Sequence, residues 1–290
     1  MARPALLLDT FSLFFRAFFA LPPMSTTRGE ATSALYGFSS LLLKLLRLHP
    51  GAELCFALDT GRPTFRHQAF QPYKAQRAPA PTPLVEQLRR LDSLLDGFGG
   101  VALGVPGFEA DDVLASVAAR LRAEARPTLV VSGDRDLLQT AFGSVRVHFV
   151  GARGKDAVDY DEAAVVERFG VPPWRLPALV ALLGDTSDNL PGVPGIGPAT
   201  AKRLLQSRAD VEELLRDAPA IGGRVGELLL AHAEQIRATA QLATLRTDAA
   251  LPQPPYLASA NEQQLTALRG LFEALEFKSL LPRLDKLRAL

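Results

Sequence analysis

The sequence predicts an α/β protein built on a mostly parallel sheet, followed by a helical region. Three observations carry that expectation. Short apolar runs alternate with helical patterns through the first half, strand-like runs stop near residue 160, and a Val-Pro-Gly-Ile-Gly-Pro turn then opens an acid-free helix. Strands separated by helices pack as a parallel sheet with right-handed crossovers. Residues 5–8 begin this pattern as a strand, and residues 10–20 follow with helical spacing. A long apolar-faced helix is expected over 31–49 and a second strand over 54–58. Further strands fall at 101–105 and 128–131, with a helix at 109–125 between them. Residues 145–158 fit a terminal hairpin. The expected division is a catalytic α/β domain over 1–165, with an insertion at about 60–95, and a helical region over 166–290.

Bulk properties set limits. The chain has 290 residues, 48% of them apolar, so it can bury a sizeable core. A net charge of +1 does not by itself announce a nucleic-acid binder. Cys55, the sole cysteine, excludes an internal disulfide and sits in an apolar run, as an inert packing thiol would. No stretch approaches the ~18 unbroken apolar residues of a membrane span, so a soluble, cytoplasmic protein is expected.

The carboxylates are the first chemical signal. Asp9, Asp59 and Asp134 each follow a predicted strand, and the carboxyl ends of parallel strands share one edge. Glu109, Asp111 and Asp112 open the helix that follows another strand. Asp136 lies two residues beyond Asp134, and Asp185 and Asp188 lie three apart. Taken singly, each fits a helix cap or first-turn residue. Taken together they do not, because two carboxylates ~4 Å apart repel by roughly 4 kcal/mol at an effective dielectric of 20. No matching set of lysines accompanies these segments. Divalent cations would relieve the repulsion, and oxygen-only ligands favour Mg²⁺ or Mn²⁺ over zinc. Two such ions imply in-line phosphodiester hydrolysis. His49, His67, His148 and His232 lack metal-ligand spacing and read as surface or packing residues.

The second signal is basic. From Thr60 to Val85 there is no acidic residue, while Arg62, Arg66, Lys74 and Arg77 are interleaved with Phe65, Phe70 and Tyr73. The bland reading is a solvated loop; its place directly after Asp59 favours phosphate handling. Residues 190–208 resemble a helix-hairpin-helix, in which Gly195 and Gly197 permit a tight turn and Pro198 suits a first helical turn. Such a turn exposes backbone N–H groups to phosphate without reading sequence.

These residues carry a family resemblance. Leu8-Asp9 with Phe15-Arg16-Ala17-Phe18, Thr27-Arg28-Gly29-Glu30, Phe65-Arg66-His67, Tyr73-Lys74, Glu109-Ala110-Asp111-Asp112, Gly133-Asp134-Arg135-Asp136 and Gly184-Asp185-Thr186-Ser187-Asp188-Asn189 occur in order. Together they resemble the 5′-nuclease domain of bacterial DNA polymerase I and the stand-alone bacterial and phage flap endonucleases. The resemblance implies a PIN-like sheet with a helical arch over the active site. It implies one metal site from Asp9, Asp59, Asp111 and Asp112 with Glu109 nearby, and a second from Asp134, Asp136, Asp185 and Asp188. Lys74 and Arg77 would then contact the scissile phosphate. DNA contacts would come from Arg16, Arg28, Arg62, Arg66, Tyr73, Gly195, Gly197, Thr200, Lys202 and Arg203, with K⁺ bound at the hairpin. The implied partners are 5′ flaps, nicks and RNA-primed ends, and a DNA polymerase; the enzyme would be a monomer. Thr10 departs from the family's usual glycine, and Phe15 from its usual tyrosine. Both a free-standing enzyme and a polymerase-linked domain fit the sequence.

Two other readings are weighed. A PIN-like ribonuclease accounts for the acids but not for the hairpin or the basic insertion. A non-catalytic DNA-junction protein leaves the clustered carboxylates without a purpose.

Overall fold

The structure is a computed structural model that describes residues 3–151 and 157–288. Six strands form one sheet in the order β3-β2-β1-β4-β5-β6. β1 (Ala5–Asp9) lies in its interior, paired in parallel with β2 (Glu53–Ala57) and with β4 (Thr128–Ser132). β3 (Val101–Leu103) and β5 (Val145–Phe149) continue the parallel set outward. β6 (Val158–Tyr160) alone runs antiparallel, closing the expected hairpin on β5; its turn lies outside the described residues.

Every residue of β1 is buried, because helices cover both faces of the sheet. Side chains alternate between those faces. Leu7 joins Cys55, Val130 and Val113 on one side. Leu6 and Leu8 join Phe14, Phe38 and Phe56 on the other. Burial pushes the Cys55 thiol up to about 12, so it stays protonated and inert, as expected.

On the second face lie α1 (Thr10–Ala20) and α2 (Ser33–Leu48). On the first lies α6 (Ala110–Ala123). The insertion contains α3 (Phe65–Ala69), a run of turns, α4 (Thr82–Leu88) and α5 (Leu91–Phe98). Beyond the sheet, α7 (Glu162–Phe169), α8 (Leu176–Leu183), α9 (Pro198–Gln206), α10 (Val211–Ile221), α11 (Gly223–Ala231) and α12 (Ala233–Ala243) form a helical assembly.

The helices expected over 166–290 run to the end of the described residues, and the last two return to the sheet. Ala258 bridges back to Leu54 of β2. α13 (Glu262–Ala274) and α14 (Leu281–Arg288) then pack into the core beneath α2 and α5. Phe272 and Leu268 are wholly buried there, so these two helices complete the sheet domain.

A close approach fixes the loop after α8. Gly184 takes φ +77°, and a Cβ on Gly192 would stand 2.4 Å from the Leu183 carbonyl carbon. Only glycine lets the 185–190 turn fold back so tightly. Gly192→Ala should therefore cost about 1–3 kcal/mol; a thermal melt matching the parent's would show that the loop relaxes freely.

Candidate active site

Asp9 ends β1 and caps α1, accepting the Ser12 N–H at 3.3 Å. It also accepts the Ser132 hydroxyl at 2.5 Å. Asp59 follows β2 and accepts the Ala110 N–H at 2.9 Å, at the start of α6. Asp134 follows β4, takes the Asp136 N–H at 2.9 Å, and has its own N–H held by Ser132. The cap reading is thus correct for Asp9, and Glu109 caps α6 in a box with Asp112; capping coexists with convergence. Asp9, Asp59, Glu109, Asp111 and Asp134 line one cleft of about 610 Å³. Asp136, Asp185 and Asp188 are not among its lining but group with it through Asp134: the charges of Asp134, Asp188 and Asp185 act on Asp136, opposed by Lys74.

The insertion supplies cations to part of this cluster, so the expectation of acids without counter-charges needs correction. Lys74 lies 3.2 Å from Glu109 and 3.6 Å from Asp188. Arg77 donates to Asp188 at 2.9 Å, and the Tyr73 hydroxyl bridges Asp188 at 2.7 Å and Glu109 at 2.9 Å. Lys74 and Arg77 do not sit on a helix; they belong to turns, with Lys74 at φ +52° and Asn189 opposite at φ +58°. Left-handed backbone at non-glycine residues costs energy and is held here by contacts: Lys74 N–H donates to the Asp188 carbonyl, and the Asn189 amide to that of Pro72.

Three residues expected on the DNA side are buried. Arg66 is 2% exposed and directs its guanidinium to Asp112 at 2.6 and 2.9 Å, Glu109 at 3.2 Å, and the carbonyls of Leu242 and Thr244. No donor is left over for phosphate. Tyr73 and Lys74 are turned inward onto carboxylates. Asp112 is also spent: besides Arg66 it accepts the N–H groups of Glu109 and Arg246. Arg28, Arg62 and Arg203 are exposed, and Arg77 is half-exposed. Arg16 reaches the Gly133 carbonyl and stands 5.6 Å from the Phe149 ring. Thr10 folds its hydroxyl toward the Leu8 carbonyl and leaves the cleft undisturbed. Gly195, at φ +93°, and the exposed Gly197 form the hairpin that opens α9. Thr200 is half-buried, and Lys202 reaches the Arg168 carbonyl at 3.4 Å. Ser132, which holds both Asp9 and Asp134, was missed by sequence reasoning; its place two residues before a strand-end aspartate was the available signal.

The charges divide the acids. Burial pushes Asp9 up to about 6, helped by Asp134 and Asp59. Burial raises Asp111 well above the carboxylate range, and the charges of Asp9 and Asp134 add to it. Asp136 is raised by burial and then by Asp134. Glu109 is different: burial opposes its charge, but Lys74 and Arg66 outweigh that and lower it. Part of the cluster therefore carries more negative charge than its protein cations offset. Among the described residues, no three acidic, histidine or cysteine side chains stand arranged to grip a single ion.

A sheet edge rich in uncompensated acid, beside a basic insertion and a glycine hairpin, suits the handling of phosphodiesters, and the fold and site together define a nuclease. The 5′-3′ exonuclease N-terminal resolvase-like domain matches residues 4–170, and the C-terminal SAM fold of the same family matches residues 171–265. The chain is a member of the 5′-3′ exonuclease family. It is 37% identical to DNA polymerase I of Mycobacterium bovis over 286 residues, covering 98% of this chain and 32% of that protein. It is 39% identical to the thermostable DNA polymerase I of Thermus aquaticus over 276 residues, covering 95% of this chain and 32% of that protein. The chain thus spans about a third of the length of these relatives. A bacteriophage T5 flap endonuclease, in complex with DNA and metal ions, shares the fold at TM-score 0.68 and 18% identity, over 99% of this chain and 100% of that one. The catalytic core of Rad2 bound to DNA shares it at TM-score 0.61 and 14% identity, over 97% and 92%.

A carboxyl whose folded pKa exceeds its unfolded value binds protons more tightly when folded, so its cost to stability vanishes as pH falls. For Asp9, raised from 3.8 to about 6, that cost is on the order of 3 kcal/mol above pH 6. His67, lowered by burial and Arg62, works in the opposite sense, so a variant isolates the effect. Without divalent cations, Asp9→Asn should melt several degrees above the parent at pH 8, with the gap narrowing as pH falls through about 6 and closing only below about 4. Equal melting at pH 8 would refute the uncompensated-charge account.

Proposed function

We propose that the chain is a structure-specific 5′ nuclease that hydrolyses DNA phosphodiesters at 5′ ends and 5′ flaps with the help of two divalent cations, Mg²⁺ or Mn²⁺. The observation that carries this reading is the acid-lined cleft, in which Asp9 and Asp111 are pushed up by burial and by neighbouring carboxylates, as is Asp136 next to the cleft's Asp134. An oxygen-only donor set short of positive charge fits hard cations. The flap endonuclease and Rad2 neighbours were determined with DNA, and the former with metal ions.

Asp9, Asp59, Asp111 and Asp134 would hold one cation, and Asp136, Asp185 and Asp188 the other. Glu109 and Asp112 would position rather than ligate, because Lys74, Tyr73 and Arg66 occupy them. When bound, the cations supply charge stabilisation for the attacking and leaving oxygens. Arg77, held to Asp188 by one hydrogen bond and half-exposed, is the cation best placed to turn to the scissile phosphate. Lys74 offers a fixed positive field from beneath. Arg28, Arg62, Arg16 and Arg203 would meet the backbone, and Gly195, Gly197, Thr200 and Lys202 would hold duplex DNA at the hairpin, with K⁺ as a further occupant. We assign 1–165 to catalysis and 166–290 mainly to DNA binding. We place a monomer in the cytoplasm at the nucleoid, removing primers and flaps, RNA-primed ends among them, alongside a DNA polymerase. No described helix is long and apolar enough to cross a membrane.

The test is a 5′-labelled flap DNA. Wild type should cut near the junction with Mg²⁺ and not with EDTA, and Asp134→Ala should lose at least a hundredfold in rate while still binding. Undiminished cleavage by the variant would sink the assignment, and preferential cutting of single-stranded RNA would favour the ribonuclease reading. Binding without metal-dependent turnover would favour a junction-binding protein.

A further inference from the structure

Between the sheet domain and the helical assembly lies a cavity of about 260 Å³ that shares no lining residue with the acidic cleft. Arg122 of α6, Phe142, and Trp174 and Arg175 just before α8 all line it. Several of its other polar side chains are already engaged. Gln139 donates to the Ala243 carbonyl and accepts the Leu245 N–H, and the Thr140 and Thr244 hydroxyls donate to carbonyls one turn back. Asp210, its carboxylate, caps α10 by accepting the Glu213 N–H at 2.9 Å. The arginines are not satisfied in this way. Among the described residues the Arg122 side chain has no hydrogen bond or ion pair, and burial pushes its pKa down with no carboxylate opposing. Its guanidinium lies over the Phe142 ring, 3.8 Å from the centroid, which leaves the in-plane N–H donors free. Arg175 donates to the Leu205 and Gln206 carbonyls, while its Nε, shielded from solvent, has no partner among the described residues. Phe142 meets Trp174 edge-on at 5.7 Å, and Trp174 is 52% exposed.

We infer that this cavity binds a nucleoside monophosphate, with the phosphate at Arg122 and the Arg175 Nε and the base on Trp174. A partly desolvated cation without a counter-charge is costly, and an anion removes that cost. The free N–H fork of Arg122 matches phosphate oxygens. The open indole supplies a stacking face that any base can use. At about 260 Å³ the cavity sits just under the ~300–1,000 Å³ of small-molecule pockets, which suits one nucleotide with its base at the open rim and not a strand. The choice of ligand rests on the nuclease reading, because an enzyme that trims 5′ ends releases nucleoside monophosphates. Asp136 of the acid cluster opens the 3₁₀ turn Asp136–Thr140, whose far end, Gln139 and Thr140, lines the cavity. Product is therefore released one short turn from a place that fits it.

Trp174 is the sole tryptophan, so intrinsic fluorescence reports on this cavity. In EDTA, deoxyadenosine monophosphate should quench it saturably, with half-saturation at roughly 1 mM or below, the strength of one stack and one charge-assisted pair. Deoxyadenosine, and inorganic phosphate read by competition, each lack half of the ligand and should bind about tenfold more weakly. Arg122→Ala should weaken the nucleotide by a similar factor, while Arg122→Lys, which keeps the charge, should lose less. Both variants should melt as cooperatively as wild type, since the side chain is partly exposed and holds no hydrogen bond. Wild type without saturable quenching would overturn the site, as would deoxyadenosine binding as tightly as its monophosphate, or a folded Arg122→Ala with unchanged affinity. Flap cleavage by wild type in Mg²⁺ is scored separately. Cleavage without quenching refutes the cavity's role alone, whereas quenching without cleavage upholds it and refutes the nuclease reading.

Discussion

Arg66 is the joint on which the site depends. A guanidinium that is 2% exposed must be fully paired, because an isolated buried charge costs several kcal/mol. It is paired, by Asp112 and Glu109 on α6 and by two carbonyls at the end of α12. Three segments distant in sequence therefore meet at one side chain: the base of the insertion, the helix after β3, and the last helix before the chain returns to the sheet. The pairing also aims the neighbouring acid. Glu109 and Asp112 lie three apart and share a helix face, so holding both toward Arg66 turns Asp111 to another face, where it lines the cleft. Asp112 is wholly buried and would be stranded without its partner, which makes the pair a constraint on geometry more than a source of stability.

That constraint sorts the carboxylates into two populations. Those within reach of the insertion, Glu109, Asp112 and Asp188, have Arg66, Lys74, Arg77 and Tyr73 against them. Of those on the other side, Asp9 has a hydroxyl and a backbone N–H, and Asp111 and Asp136 face mainly other carboxylates, with Lys74 offsetting them only in part. Glu109 and Asp112 hold the insertion down; Asp188, which burial raises despite its partners, joins Asp9, Asp111 and Asp136 in keeping affinity for cations. One sheet edge thus anchors the insertion on one side and gathers buried carboxylates on the other.

Much of the fold was legible because its signals are local. Runs such as Leu6-Leu7-Leu8 ending in Asp9 show a buried parallel strand and the edge at which it stops, and Gly195-Ile196-Gly197-Pro198 shows a turn entering a helix. What stayed hidden was long-range. Arg66, in an acid-free stretch, reads as a DNA-contacting cation because Asp112 and the Leu242 carbonyl are brought to it only by folding. Tyr73 reads as a DNA contact for the same reason, although its hydroxyl bridges two acids. Asp111 and Asp112 are alike in sequence, and one helical step of 100° decides which faces the cleft. α13 is amphipathic, but nothing in its own residues names the core it will join; Gly97, with Leu268 2.9 Å from where a Cβ would stand, marks the contact only once the chain is folded.

The tight packing of Gly184 against Gly192 then acquires a role beyond the loop itself. Asp185 and Asp188 lie on the turn between these glycines, and the Gly195–Gly197 hairpin follows directly. Because the turn is clamped at both ends and its Asp188 is held by Tyr73, the hairpin cannot shift without moving those acids or breaking buried hydrogen bonds. The proposed duplex grip and the second group of carboxylates are therefore parts of one rigid piece. A backbone held at the hairpin meets the acids at a set distance, which is how an enzyme that reads no base sequence could still choose where along a strand to cut.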